Sequence, residues 1–368
     1  MAAGLPDPKE IEELLLGGEL CYTRVDAVRL SGVTREFSGR VWRAFGYPSM
    51  PDEVIAYTEG DVAALCRIRR LMDDGVLDED GVIRLVRAFG QTMTRLAEWQ
   101  VNLLGGMLSQ DPQEPPTAEA VGSIVDIAEK HIGEFEPLVV HAWRRQLAAA
   151  GTRAIAAAST REAAAQGEPG AVAAGRTLTT VGFADMVSFT QVSRDLEELE
   201  LARVVEWFEE TASDIVASCG GRLVKTLGDE VLFCADSPLV GGEIALAIAE
   251  TIQDEIEVPD VRVGVAYGPV LPLMGDMFGT TVNLAARLTK LARPGSVVID
   301  TELAAALEGE PGLEVTKIVR RPVRGLGIIQ PSVLRRSTRN PAAPAAPAAP
   351  HTPDAPDGPG NAAGGGPA

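Results

Sequence analysis

Apolar positions recur at helical spacing through the first 165 residues. Between 61 and 72, Val62, Leu65, Ile68 and Leu71 return every third residue and mark one helix face. Between 81 and 104, Val82, Leu85, Val86, Phe89, Met93, Leu96 and Val101 carry the same pattern. Asp61 and Asp80 stand where N-terminal caps are expected. The proline-rich QDPQEPPT at 110–117 is a break. It predicts a new helix over about 118–148, interrupted near Gly133 or Pro137. The stretch 158–176 is small, polar and glycine-containing, and a linker is placed at 166–176. Earlier, residues 22–48 read as two short helices around Ser31-Gly32, a helix-turn-helix pattern. Tyr57-Thr58 and Asp61 extend this toward a winged-helix layout, with DNA binding and simple helical packing as the two readings.

From 177 to 337 the period changes. Thr177–Met186 is an apolar strand, and an amphipathic helix is predicted over 195–218 with Leu196, Leu199, Val204, Phe208 and Ile215 inward. Cys219-Gly220-Gly221 ends it. Arg222–Thr226 and Glu230–Ala235 form a hairpin around Leu227-Gly228-Asp229. A helix at 238–256, a strand at 261–267 and a helix at 281–292 follow, then strands near 296–299, 313–319 and 328–335. The order strand, helix, strand, strand, helix, strand is a ferredoxin-like split β-α-β unit with additions, so the chain is α+β with an all-α leading region.

Composition narrows the functional classes. The 368 residues hold 52 Asp+Glu against 33 Lys+Arg, a net charge of −19. Such a chain is repelled by phosphate backbones, so no nucleic-acid partner is expected, although a local metal reverses that field for a small phosphorylated ligand. The charge is spread evenly and locates no domain boundary. Cys21, Cys66, Cys219 and Cys234 form no C-x-x-C pair and no zinc spacing. Neither a signal peptide nor a transmembrane segment is legible, so a cytoplasmic protein is expected. From Pro341 onward 23 of 28 residues are Ala, Pro or Gly, which predicts a disordered tail over 338–368.

Candidate chemistry lies in the second region. Asp185 ends an apolar strand in FADMVSFT, and Asp229 sits at the tip of the hairpin KTLGDEVLF. Each alone is an ordinary turn residue. Together, on adjacent strands, they converge and suit a hard cation such as Mg²⁺ or Mn²⁺, and with it phosphoryl chemistry. Lys225 lies on a central, otherwise apolar strand pattern, and Asp276 in the glycine-flanked loop GDMFG. Asn283 and Arg287 are four apart on TVNLAARLTKL and share a face, which on so apolar a helix directs both into a specific site.

In order and spacing, FADMVSFT, GGRLVKTLGDEVLF, VRVGVAYGPV and GDMFGTTVNLAARLTKLARPGSVVI resemble the class III nucleotidyl cyclase catalytic domain over 178 to about 335. The resemblance implies a homodimer with active sites at the subunit interface. It implies two divalent ions per site held by Asp185 and Asp229, and adenine recognition by Lys225 and Asp276 from the other subunit. Asn283 would orient the ribose and Arg287 would stabilise the transition state. Arg324, in PVRGLG, is the nearest match to the family's phosphate-binding lysine. A lysine donor and an aspartate acceptor fit the N1 and N6 edge of adenine, which favours ATP and adenylate cyclase activity. Alternatives are a guanylate or diguanylate cyclase, or a catalytically silent cyclase-like regulator. Residues 1–165 resemble the helical regulatory domain of actinobacterial cyclases, including the mycobacterial pH-responsive type. His131 and His141 are the candidates for a pH switch, because histidine titrates near neutrality.

Overall fold

The computed structural model describes residues 7–108, 118–165, 177–189, 194, 196–255, 258–273, 275–323 and 325–337. The expected linker at 166–176, the tail at 338–368 and Arg324 lie outside the described residues. The chain divides into two compact units, one built chiefly from residues up to Thr177 and the other from those after it.

In the first unit, α1 (Pro8–Leu16), α2 (Arg24–Ser31), α3 (Arg35–Phe45), α4 (Glu59–Asp73), α5 (Glu79–Leu108) and α6 (Ala118–Ala165) surround a two-stranded ribbon of β1 (Tyr22–Thr23) and β2 (Ile55–Tyr57). The helix-turn-helix pattern is present as α2 and α3 around Gly32, which closes α2 in a left-handed conformation with φ 71°. Its apolar positions are internal. Ala27, Val33, Phe37, Val41, Trp42, Leu65, Ile68, Val82 and Val86 form one core. The caps differ from expectation. Thr58 caps α4, and Asp61 is the reciprocal member of the capping box at the third helical position. At the start of α5, Asp78 rather than Asp80 accepts a backbone hydrogen bond, from Gly81 N at 2.7 Å. The predicted break at Gly133 or Pro137 is absent, and α6 runs through Pro137 to Ala165, so 158–165 is helix and not linker. The apolar face of α5 is buried only in its first half. Val82 and Val86 are internal, whereas Phe89, Met93 and Val101 are exposed in the single chain.

The second unit carries an eight-stranded sheet. Its strands are β3 (Thr177–Met186), β4 (Arg222–Thr226), β5 (Glu230–Ala235), β6 (Val261–Leu273), β7 (Asp276–Phe278), β8 (Ser296–Ile299), β9 (Leu313–Lys317) and β12 (Ser332–Arg336). The order is β4-β5-β3-β6-β8-β12-β9, with β7 paired to β6, and β10 (Arg321–Val323) and β11 (Gly327–Ile329) form a separate hairpin. The first four strands have the ferredoxin-like order that the sequence implied. β7 and the short helix α10 (Thr301–Ala306) were not legible in the hydropathy pattern.

Alternation along the strands assigns the two sheet faces. On one face Ala184, Met186, Val231, Phe233, Val263 and Val265 pack with α7 (Glu198–Ser218) and α8 (Pro238–Gln253). On the other, Val181, Phe183, Leu232, Cys234 and Ala266 pack with α9 (Thr280–Leu291) through Val282, Ala285 and Leu288. Helix α9 lies very close to the strands. A methyl group at Gly264 of β6 would overlap the backbone nitrogen of Thr289. The Thr289 hydroxyl reaches the Phe183 carbonyl on β3 at 3.4 Å. No helix among the described residues is long and apolar enough to cross a membrane.

Candidate active site

Two strand ends and a hairpin gather the carboxylates. Asp185 is the penultimate residue of β3 and pairs in register with Glu230 of β5. Asp185 alternates with Val181 and Phe183, and Glu230 alternates with Leu232 and Cys234, so both carboxylates lie on the α9 face. Asp229 is the last residue of the tight turn before β5. Gly228, at φ 74°, makes that turn possible. The Asp229 carbonyl accepts a hydrogen bond from Met186 N at 2.8 Å, which ties the turn to the end of β3. Burial, and then the charge of Asp185, push the Asp229 carboxyl above the usual carboxylate range. Glu230 is raised for the same two reasons in the same order.

Arg262 completes this cluster and was missed at the level of sequence. It is on β6, alternating with Gly264 and Ala266, and is therefore on the α9 face too. Its Nε donates to Asp185 Oδ2 at 2.7 Å and its Nη2 lies 2.5 Å from the same oxygen. The available signal was a lone arginine in the apolar run VRVGVAYG, which cannot be buried without a partner.

The other candidates are placed as follows. Lys225 is half-buried on the edge strand β4, opposite Leu232, so it shares the α9 face with Asp185 and Glu230. A bulge between Leu223 and Lys225 allows this, because it shifts the register by one residue. Asp276 opens β7 and is half-buried. It belongs to a strand rather than to the turn its flanking glycines suggested. Asn283 and Arg287 are exposed on α9, so in one chain they face outward rather than into an enclosed site. His131 and His141 are exposed on α6, and their ten-residue spacing sets them roughly 80° apart around the helix. A hollow of about 500 Å³ lies elsewhere, among Leu284, Asp300, Arg320 and Gln330.

The donor set suits a divalent cation brought in with phosphates. Among the described residues, no group of three or more His, Cys, Asp or Glu is gathered to hold a metal alone. Two neighbouring carboxylates are the typical share a protein contributes to Mg²⁺, with water and substrate phosphates supplying the rest. Arg262 supplies a compensating positive charge at Asp185.

Residues 174–334 match the family described as the adenylate and guanylate cyclase catalytic domain. An adenylate cyclase of Streptomyces coelicolor is 41% identical over 352 residues, covering 89% of each chain. The chain belongs to the class III adenylate cyclase family. A pH-sensitive adenylate cyclase of Mycobacterium tuberculosis is 29% identical over 76% of this cyclase and 68% of its own length. The crystal structure of the adenylyl cyclase CyaB from P. aeruginosa aligns with 45% of this cyclase and 96% of that chain, at 21% identity and a TM-score of 0.41.

Proposed function

We propose that this adenylate cyclase converts ATP to 3′,5′-cyclic AMP and pyrophosphate, as a cytoplasmic homodimer whose sites are completed by the partner copy. The observation that carries the reading is the meeting of Asp185 and the Asp229 turn at one sheet end, with Asp185 on the face that also bears Lys225 and α9. In this reading Asp185 and Asp229 hold two Mg²⁺ or Mn²⁺ ions. Such ions supply Lewis acidity toward the 3′-hydroxyl and the triphosphate. The 3′-hydroxyl of the ribose gives its proton to solvent, its oxygen bonds to the α-phosphorus as the bond to the bridging α–β oxygen breaks, and pyrophosphate leaves. Lys225 donates to adenine N1 and Asp276 accepts from the N6 amino group. Guanine presents the opposite pattern, so GTP is disfavoured. Asn283 orients the ribose, and Arg287 offsets charge growing on the phosphoryl oxygens, a role whose loss typically costs about 10²–10³ in rate. Arg324 is assigned to the triphosphate.

The outward display of Asn283 and Arg287 supports their use by a second copy. Mixing Asp229→Ala chains with Arg287→Ala chains tests this, since one complete site re-forms in the mixed dimer. Activity in the mixture well above either variant alone is expected, and none would refute the shared site. The substrate is tested with purified protein, Mn²⁺ and either ATP or GTP, assaying both cyclic nucleotides beside Asp229→Ala. Absence of cyclic AMP between about pH 5 and 8, for the full chain and the 177–337 fragment alike, would overturn the assignment. The helical unit is assigned to regulation, with His131 and His141 as its pH-sensing groups. An unchanged pH–activity profile in the double Asn variant would remove them from that role.

A further inference from the structure

The hollow of about 500 Å³ has a size that suits a small molecule. Leu284 of α9, Ile328 and Ile329 of β11, and Pro331 give it apolar walls. Asp300, Glu302, Arg320 and Gln330 supply polar groups. Those groups are held in place. Asp300 is only 6% exposed, and the Tyr267 and Leu303 N–H groups both donate to its Oδ1, at 3.3 and 2.9 Å, which leaves Oδ2 as the oxygen a ligand can take. Arg320 Nε donates to Gln330 Oε1 at 3.1 Å, and the Gln330 amide donates to the Ile318 carbonyl. The Thr301 hydroxyl donates to the Gln330 carbonyl at 3.1 Å. Two carboxylates against one guanidinium leave the lining with negative charge in excess. Apolar walls beside a buried carboxylate are the complement of an organic ammonium ion. An anionic ligand would meet two like charges, and a neutral one would leave the buried Oδ2 without a charge-assisted partner. The hollow is separate from the Asp185 cluster. Tyr267, bonded to Asp300, stands five residues beyond Arg262 on β6, roughly 16 Å along the strand.

We propose that this hollow is an effector site for a small organic monocation, an ammonium group carried on an apolar body. The ammonium donates to Asp300 Oδ2, Glu302 adds to the field that holds it, and the apolar body lies against Leu284, Ile328 and Ile329. The site touches two elements that serve the proposed reaction. Leu284 follows Asn283 on α9, and β10 and β11 flank residue 324, assigned to the triphosphate. An occupant in contact with both Leu284 and Ile328 favours one fixed arrangement of helix and hairpin, so KM for ATP falls while kcat is kept. That effect rests on the proposed ATP reading, whereas the binding does not.

The probe is 2-phenylethylamine, with 2-phenylethanol as its neutral counterpart. Each is titrated into the full-length, nucleotide-free protein and followed by saturation-transfer nuclear magnetic resonance. The solution is held at about pH 8, above the value of about 6 to which burial raises the Asp300 carboxyl. The amine should saturate with a dissociation constant of about 1 mM or below, and the alcohol should bind at least about tenfold more weakly. Asp300→Asn should weaken the amine about tenfold. Glu302→Gln, at an exposed position, should weaken it about threefold, and Arg320→Gln, which removes a repelling charge, should tighten it about threefold. These two exposed variants carry the test if circular dichroism shows that Asp300→Asn is misfolded. Asp229→Ala should bind the amine like the parent, and loss of binding there would place the amine at the metal cluster and overturn the proposal. In turnover, saturating amine should lower KM for ATP about two- to threefold and leave kcat within about twofold. Equal binding of amine and alcohol, or Glu302 and Arg320 variants that bind like the parent, overturns the site. Binding with an unchanged KM overturns the effector role, while cyclic AMP formation without amine independently reports whether the cyclase assignment stands.

Discussion

In the helical unit, α2 and α4 begin with the same local device. Thr23 and Thr58 each accept a backbone N–H three residues on, and Asp26 and Asp61 each return a bond to the cap residue. In the catalytic unit, α8 and α9 begin at Ser237 and Gly279 with no side-chain cap bond. Helix α9 is held by distant partners instead. Thr281 donates to the Pro269 carbonyl at 3.0 Å, and Gly264 permits the close approach at Thr289, whose hydroxyl bonds to Ala285 of its own helix at 3.0 Å and also reaches the Phe183 carbonyl at 3.4 Å. Even the cap of α10 is shared. Asp300 Oδ1 accepts from Leu303 N at 2.9 Å and also from Tyr267 N on β6 at 3.3 Å. One unit takes its helix ends from neighbours in sequence, and the other takes helix positions from strands far away in sequence. Catalytic geometry needs the second kind, because a local cap starts a helix but does not aim it.

This contrast can be broken at graded cost. With the metal-binding role proposed for Asp229, Asp229→Ala should lower cyclic AMP formation by at least about 10³ while leaving the thermal transition in place. Loss of the folded signal in circular dichroism would show instead that the hairpin tip is structural.

The shared cap at Asp300 should give the largest pH effect on stability. Burial raises its carboxyl to about 6 from 3.8, despite the hydrogen bonds from Leu303 and Tyr267 that lower it. An acid whose pKa rises on folding binds more protons in the folded state. Its contribution is therefore fully present below about pH 4 and is lost as pH climbs through about 6, a change on the order of 3 kcal/mol. Urea midpoints measured from pH 4 to 7 should fall over that window in the parent. In Asp300→Asn, which keeps the accepting oxygen, that part of the slope should vanish.

Gly264→Ala should cost about 1–3 kcal/mol by forcing α9 off the sheet, and should lower kcat more than it raises KM, since α9 carries Asn283 and Arg287. A variant with lowered stability and unchanged kcat would show that α9 need not be aimed so closely. Thr58→Ala should cost only about 1 kcal/mol, confined to the helical unit and read as a shift in its urea midpoint. A larger loss there would erase the distinction between the two units.

The legible parts of the chain follow the same division. Strands β3, β4 and β5 show in the sequence because apolar runs bounded by glycine and polar residues need no distant information. The buried face of α4 is legible for a similar reason, from Leu65 and Ile68. Pro137 misled as a break. A proline in a helix interior removes one hydrogen bond, at a cost of about 3 kcal/mol, and the helix formers on both sides of it in α6 outweigh that. The exposed second half of the α5 face could not be anticipated either, because periodicity identifies an apolar stripe and not what covers it. β7 and α10 are too short to show a period.

The sequence by itself determined the class of chemistry. Carboxylates at Asp185 and Asp229, with no histidine or cysteine set, and the ordered segments around them already implied a divalent ion and a nucleotide. Only the tertiary structure decided which other charges share that place. Arg262 lies 77 residues from Asp185 along the chain. It looks like an ordinary strand arginine until strand order and alternation bring it to the same sheet end. Residue type limits what a group can do, but the strength of a Coulombic effect depends on separation in space, which spacing along the chain does not contain.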